Sequence, residues 1–194
     1  MASIRTFIAV ETPESIRKDM STLQAQLKKS NADVRWEHEE KFHATVKFLG
    51  EVDEKILPSV IGKIEEVVRR HRQCEVVFET LGCFPNVKNP RVIWIGCTDQ
   101  SGELGILKSV LDKELQSFGF EIEQRPFKPH ITLGRVKESR RNRDLISLIE
   151  NLTFEPHESS VTDVVVMKSV LKPQGSEYSI LQRIQLNPLH KGTS

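Results

Sequence analysis

The chain is poor in the features that mark several large classes of protein. Only three of its 194 residues are cysteine (Cys74, Cys83 and Cys97), an odd number with no Cys-x-x-Cys spacing. That argues against a disulfide framework and against a zinc site, and it fits a reducing cytoplasm. No apolar run approaches the ~18 residues that a membrane-spanning helix needs. The opening Met-Ala-Ser-Ile-Arg-Thr-Phe-Ile-Ala-Val-Glu lacks the pattern of a secretory signal, because its apolar part is short and ends at Glu11. There is no Gly-x-Gly-x-x-Gly and no phosphate-loop motif, so nucleoside-triphosphate chemistry is not indicated. An excess of charge is missing too. The net charge is +1, so any contact with nucleic acid must come from local clustering.

What remains is ordinary soluble globular material, 38% hydrophobic and 28% charged. Residues 1–194 read as one domain, either compact or divided into two small lobes. Ile4–Val10 predicts a strand. Thr12-Pro13 predicts a cap with proline in the first helical position, and Ile16, Met20, Leu23 and Leu27 then recur at helical spacing to about Lys29. Val34–Trp36 predicts a short strand. Glu51–Val68 carries a broad apolar helical face, although Pro58 favours a start near Leu57. Glu75–Leu81 and Arg91–Cys97 predict strands on either side of a turn-rich loop, Gly82–Pro90. Leu104 to Phe118 predicts a helix ended by Gly119. Phe120–Gln124 predicts a strand, Asp144–Glu150 a short helix, and Val161–Leu171 and Tyr178–Leu186 the last two strands.

Two stretches stand out from this background: His43-Ala44-Thr45-Val46-Lys47-Phe48-Leu49-Gly50 and Pro129-His130-Ile131-Thr132-Leu133-Gly134-Arg135. Each holds His-x-Thr followed by an apolar residue, and each closes on glycine. Residues i and i+2 of a strand share a face. Each motif therefore sets an imidazole and a hydroxyl side by side. Strict alternation turns Phe42, Ala44, Val46 and Phe48 of the first copy, and Pro129, Ile131 and Leu133 of the second, toward a core. One His-x-Thr is a weak signal. Two copies of matching polarity, 87 residues apart and set among elements of similar order, point to two pseudo-symmetric lobes and one pocket floored by two histidines and two threonines.

These paired stretches resemble the signatures of the 2H phosphoesterase superfamily, and in particular its RNA 2′,3′-cyclic phosphodiesterase branch, historically called 2′-5′ RNA ligases. Gly82-Cys83-Phe84-Pro85, followed by Pro90-Arg91-Val92-Ile93-Trp94-Ile95-Gly96, extends the likeness. The resemblance implies an α+β fold of two pseudo-symmetric lobes. Each would be an antiparallel sheet with helices packed outside, and the active-site cleft would lie between the sheets. It also implies hydrolysis of RNA 2′,3′-cyclic phosphate ends to 2′-phosphomonoesters, with His43 as proton donor and His130 as proton acceptor. The reverse reaction would be an ATP-independent 2′-5′ ligation.

The chemistry is consistent with the residue types. Metal-free cleavage of a phosphodiester needs a base, an acid, and donors for the phosphoryl oxygens. Imidazole, ordinarily titrating near 6.5, serves as either of the first two, and a threonine hydroxyl is a compact donor. The candidate site is therefore His43, Thr45, His130 and Thr132, with Arg135, Phe127 and Lys47 as substrate contacts and Phe48 as a further wall. Alternation places Arg135 on the face opposite His130, so it reaches the pocket only if the strand twists or ends near Gly134. Trp36 is a candidate for base stacking or for packing. The basic run Arg135–Arg143 is a candidate phosphate contact. No cofactor or metal is expected, because His38, His71, His157 and His190 are scattered and supply no third and fourth ligand. The expected partner is RNA ending in a 2′,3′-cyclic phosphate, with no membrane involved and a monomer sufficing. The rival readings are a metal hydrolase and a non-catalytic RNA-binding module.

Overall fold

A computed structural model describes residues 2–137, 142–173 and 175–188. The first half of the chain forms β1 (Ser3–Glu11), α1 (Glu14–Lys28), β2 (Val34–Trp36), β3 (His43–Asp53), α2 (Leu57–Val68) and β4 (Cys74–Phe84). The second half forms β5 (Val92–Asp99), α3 (Glu103–Glu114), β6 (His130–Val136), α4 (Arg143–Asn151), β7 (His157–Val161), β8 (Asp163–Lys172) and β9 (Gly175–Gln185).

The strands make one curled, antiparallel sheet in the order β7-β4-β5-β6-β3-β1-β8-β9, with β2 also paired to β6. This order is symmetric about its centre. β3 lies beside β1 and then β8, as β6 lies beside β5 and then β4. The two halves meet where β3 and β6 pair, and among the described residues that register is one pair, Ala44 opposite Ile131. The anticipated α+β architecture of two antiparallel halves is thus present, with the halves fused along this seam into a half-barrel.

Apolar periodicity explains which face is covered. α1 buries Ile16, Met20, Leu23 and Leu27, α2 buries Leu57, Val60, Ile64, Val67 and Val68, and α3 buries Leu104, Leu107 and Leu111. They join Ile8, Val10, Ala44, Val46, Ile93, Ile95, Ile131 and Leu133 in one core on the helix-bearing side of the sheet. Each fully buried side chain of this kind contributes about 1.5–3 kcal/mol of transfer free energy. A smaller cluster, Phe7, Ala9, Val165 and Met167 with Tyr178 against it, covers the opposite face of β1 and β8. That explains why β1 is buried on both sides.

Several boundaries differ from the sequence expectation. Pro13 rather than Thr12 caps α1. Glu51–Asp53 continue β3, and α2 starts at Leu57 with Pro58 in its first turn, where a missing amide costs nothing. Gly82–Phe84 extend β4, so the loop begins only after the cis Phe84–Pro85 bond. β7 was not anticipated, because His157–Ser160 is too polar to read as a strand. The strand expected over Phe120–Gln124 is absent. The carbonyls of Glu121 and Glu123 instead accept hydrogen bonds from the side chains of Lys47 and Lys108. Lysine ammonium groups here take the place of a neighbouring strand.

Candidate active site

Both motifs lie on the concave face, at the centre of the sheet. The antiparallel pairing of Ala44 with Ile131 carries a simple geometric consequence. One residue to either side, His43 comes opposite Thr132 and Thr45 comes opposite His130. Ala44 and Ile131 point into the core, at 2% and 0% exposure, so the four polar residues share the other face. Opposed side chains stand about 4.5–5.5 Å apart at Cβ, and diagonal ones about 7–8 Å. The two imidazoles occupy one diagonal of this square and the two hydroxyls the other.

Each ring is tethered in the same way. Nδ1 of His130 lies 2.7 Å from the Lys128 carbonyl oxygen, and His43 is hydrogen-bonded to the Lys41 carbonyl, again two residues back. A carbonyl only accepts, so the tethering nitrogen must carry the hydrogen. In His130 the lone pair of the neutral ring therefore sits on Nε2. Aromatic neighbours hold the rings further. His43 stacks on Phe7 at 4.9 Å and meets the edge of Tyr178 at 5.2 Å. His130 meets Phe84 edge-on at 4.9 Å and Trp94 at 6.2 Å. Burial in this apolar setting pushes the His43 imidazole down to about 4, against the opposing pull of the Lys41 carbonyl. His130 is lowered as well, first by burial and then by the Arg135 charge, with the Lys128 carbonyl opposing. Both shifts favour the neutral form of the ring.

The alternation assumed from sequence fails three residues after each histidine. Across β5 and β6, Trp94 pairs with Thr132 and Ile93 with Gly134, so Leu133 is an extra, unpaired residue. Across β1 and β3, Ala9 pairs with Thr45 and Ile8 with Lys47, so Val46 is extra. A bulge of this kind swaps the faces of everything that follows. Arg135 consequently lies on the cleft side with His130 and Thr132. The bulge is held from behind, because the Leu133 carbonyl accepts from the Glu37 amide at 2.9 Å and from the Gln24 side chain at 3.0 Å.

In the first motif the same irregularity corrects two placements. Phe48 does not pack in the core; it is 68% exposed and lines the cleft. Lys47 does not stand free on the histidine face. It is buried, with Nζ 2.5 Å from Asp112 and 2.9 Å from the Glu121 carbonyl. Phe127 is half-buried, lines the cleft and touches the core. Trp36 packs against Gly134, where a Cβ would come within 2.8 Å of its ring. Arg140 and Arg141 of the basic run lie outside the described residues, and Lys137 sits 3.4 Å from Asp33. His190 also lies outside them, and His38 is exposed beside Glu40. Sequence reasoning missed Tyr178, Phe7, Phe84 and Trp94 as neighbours of the histidines. The signal available was one of pattern: Phe84 lies in the quoted Gly-Cys-Phe-Pro stretch, and Tyr178 is the one tyrosine of the chain.

The cleft has a volume of about 1120 Å³ and runs from Thr45, His130, Thr132 and Arg135 past Phe48 and Phe127 to Lys108 and the 119–128 segment. Among the described residues, no three His, Cys, Asp or Glu side chains gather in a way that would hold a metal ion.

A pseudo-two-fold sheet that presents paired His and Thr residues on its concave face is the architecture of a 2H phosphoesterase. The family description "LigT like Phosphoesterase" matches residues 10–94 and again residues 95–178, and the chain belongs to that family. The two matches meet at β5, as the internal symmetry requires. The chain is 33% identical over 184 residues to a Methanothermobacter thermautotrophicus protein named RNA 2′,3′-cyclic phosphodiesterase, covering 94% of this chain and 99% of that one. It is 34% identical over 182 residues to a Thermotoga maritima protein of the same name, covering 94% and 95%. A Thermus thermophilus crystal structure superposes with a TM-score of 0.79 at 26% identity, over 96% of this chain and 100% of that one. Escherichia coli LigT, crystallised with 3′-AMP, superposes at 0.75 with 23% identity, over 95% and 99%, which is a likeness of fold.

Proposed function

We propose that this chain hydrolyses RNA 2′,3′-cyclic phosphate ends to 2′-phosphomonoesters, without a metal, by paired-histidine acid–base catalysis. The observation that carries this reading is the square of His43, Thr132, Thr45 and His130 on one face. In-line displacement puts the attacking and leaving oxygens on opposite sides of phosphorus, and diagonal imidazoles can serve the two sides at once. Nε2 of His130 takes a proton as water bonds to phosphorus. The bond from phosphorus to the 3′ oxygen breaks, and His43 delivers a proton to that oxygen. The Thr45 and Thr132 hydroxyls donate to the non-bridging oxygens, and Arg135 offsets their charge. With an RNA 5′-hydroxyl in place of water, the same groups in the same roles open the cyclic phosphate to a 2′-5′ linkage, the proton of the 5′-hydroxyl going to His130 and the 3′ oxygen leaving with a proton from His43.

The order of the two roles comes from family resemblance. It asks something specific of His43, whose imidazole burial lowers to about 4. The phosphate anion has to raise it, since a negative charge within about 4–6 Å favours imidazolium. One chain supplies both histidines, so a monomer suffices, with RNA as its partner. The deciding experiment is incubation of a 2′,3′-cyclic-ended oligonucleotide with the protein in EDTA, followed by identification of the hydroxyl that keeps the phosphate. A 2′-phosphate formed at an undiminished rate supports the reading. A 3′-phosphate reverses the leaving oxygen, and loss of turnover in EDTA removes metal independence.

A further inference from the structure

Beyond the His/Thr square, the cleft runs along a wall with an unusual charge arrangement. Lys47 from β3 and Lys108 from α3 share one carboxylate: each Nζ lies 2.5 Å from a different oxygen of Asp112. The three side chains are nearly sealed, with relative exposures of 4% for Lys47 and Asp112 and 8% for Lys108. Two positive charges thus face one negative charge. Their further hydrogen-bond acceptors are neutral, the Glu121 carbonyl at 2.9 Å from Lys47 and the Glu123 carbonyl at 3.4 Å from Lys108. Both lysines line the same cleft as His130, Thr132 and Arg135.

A desolvated unit charge without a counter-charge is costly, and the cost falls when an anion arrives. Each ammonium has three hydrogens, and each makes two of the contacts named here, which leaves one donor apiece. Glu123 also acts on Lys108 electrostatically, but its carboxylate is exposed and already pairs with Arg125 at 2.9 Å, so solvent and that guanidinium screen it, and Lys128 adds a further exposed cation. We infer that the Lys47–Asp112–Lys108 cluster is a second anion subsite, which takes a backbone phosphate of the RNA upstream of the cyclic end. This rests on the function proposed above, and it makes the substrate class an oligonucleotide rather than a free cyclic nucleotide. The terminal phosphate occupies the histidine–threonine square while the preceding one compensates the cluster.

The test compares a nucleoside 2′,3′-cyclic phosphate with a dinucleotide bearing the same cyclic end, using the wild-type protein and Lys108→Met. That substitution keeps most of the side-chain volume and leaves Lys47 and Asp112 as a neutral pair. One charge-assisted contact predicts a kcat/KM advantage of about tenfold or more for the dinucleotide in the wild type. The advantage should shrink in high salt, collapse toward unity in Lys108→Met, and survive in Lys108→Arg. Wild-type indifference to length overturns the subsite. So does a Lys108→Met protein that keeps the advantage, or one that loses activity on both substrates equally, which would make the cluster a prop for the 119–128 segment. Failure of the wild type on both substrates would instead sink the functional reading. The subsite is then judged by equilibrium binding of a plain dinucleoside monophosphate: binding that Lys108→Met weakens upholds it, and equal binding refutes it.

Discussion

Phe48 and Arg135 occupy the same place in the two halves of the molecule. Each stands five residues after its motif histidine, beyond a bulge two residues earlier, at Val46 or Leu133. Each is carried by that bulge onto the cleft face, where Phe48 pairs across the sheet with Phe7 and Arg135 with Val92. The histidines and threonines repeat between the halves, but this pair does not. An aromatic ring answers a guanidinium, and a nearly symmetric site acquires a direction.

That asymmetry predicts different losses. Arg135→Met should lower kcat/KM about 10–100-fold, the value of a charge-assisted contact to phosphate. Phe48→Ala should act mainly by raising KM, because an exposed ring offers stacking surface to a base. Steady-state kinetics on a cyclic-ended dinucleotide would separate the two. Equal effects on KM and kcat from both would refute this division.

The histidines themselves carry a sharper expectation. His43→Ala and His130→Ala should each cost about 10²–10⁴-fold in turnover while RNA binding is largely kept. A binding module would show neither loss. Measuring rate and affinity on the same preparations distinguishes an enzyme from an RNA-binding protein.

Acid should destabilise the fold through His43. Its folded value is lowered to about 4 from 6.5, so the unfolded chain binds the proton more readily. The stability associated with the neutral ring is complete above pH 6.5 and is lost as pH falls toward about 4. At most it is on the order of 3 kcal/mol. Urea unfolding at intervals from pH 7.5 to 4 should show a steeper decline for the wild type than for His43→Asn. Parallel curves would contradict the assignment.

Gln24 should act at a distance. Its amide donates to the Leu133 and Glu37 carbonyls at 3.0 and 2.7 Å, and so holds the bulge that turns Arg135 inward. Gln24→Leu should cost about 1–3 kcal/mol of stability by leaving buried carbonyls short of a donor. It should also lower kcat/KM in the manner of Arg135→Met, by a smaller factor. A stability loss with unaltered kcat/KM would make Gln24 purely structural.

Much of the His/Thr square was legible in the sequence. Two-residue periodicity placed His43 with Thr45 and His130 with Thr132, and the apolar partners Ala44, Val46, Ile131 and Leu133 are buried as alternation requires. The bulges were not legible, because one unpaired residue leaves no trace in a hydrophobic pattern. Lys47, Phe48 and Arg135 were misplaced or left uncertain for that single reason. The Phe120–Gln124 stretch is misread on a different ground. Its Phe120 and Ile122 suit a strand, but lysines on β3 and α3 satisfy its carbonyls, and no local pattern announces a partner so distant in the chain. β7 was missed because its register with β4, from Cys74–Val161 to Phe78–His157, comes from tertiary pairing of largely polar residues.

The junction of β3 with β6 through Ala44 and Ile131 gives the molecule a seam. Within each half, long ladders fix the motif strand to its neighbours, whereas across the centre the strand pairing among the described residues is one residue pair, and the shared core behind the sheet joins the rest. The gap between the imidazoles is therefore a matter of tilt. Repacking the helices on the far side of the sheet would retune it while leaving both signatures untouched.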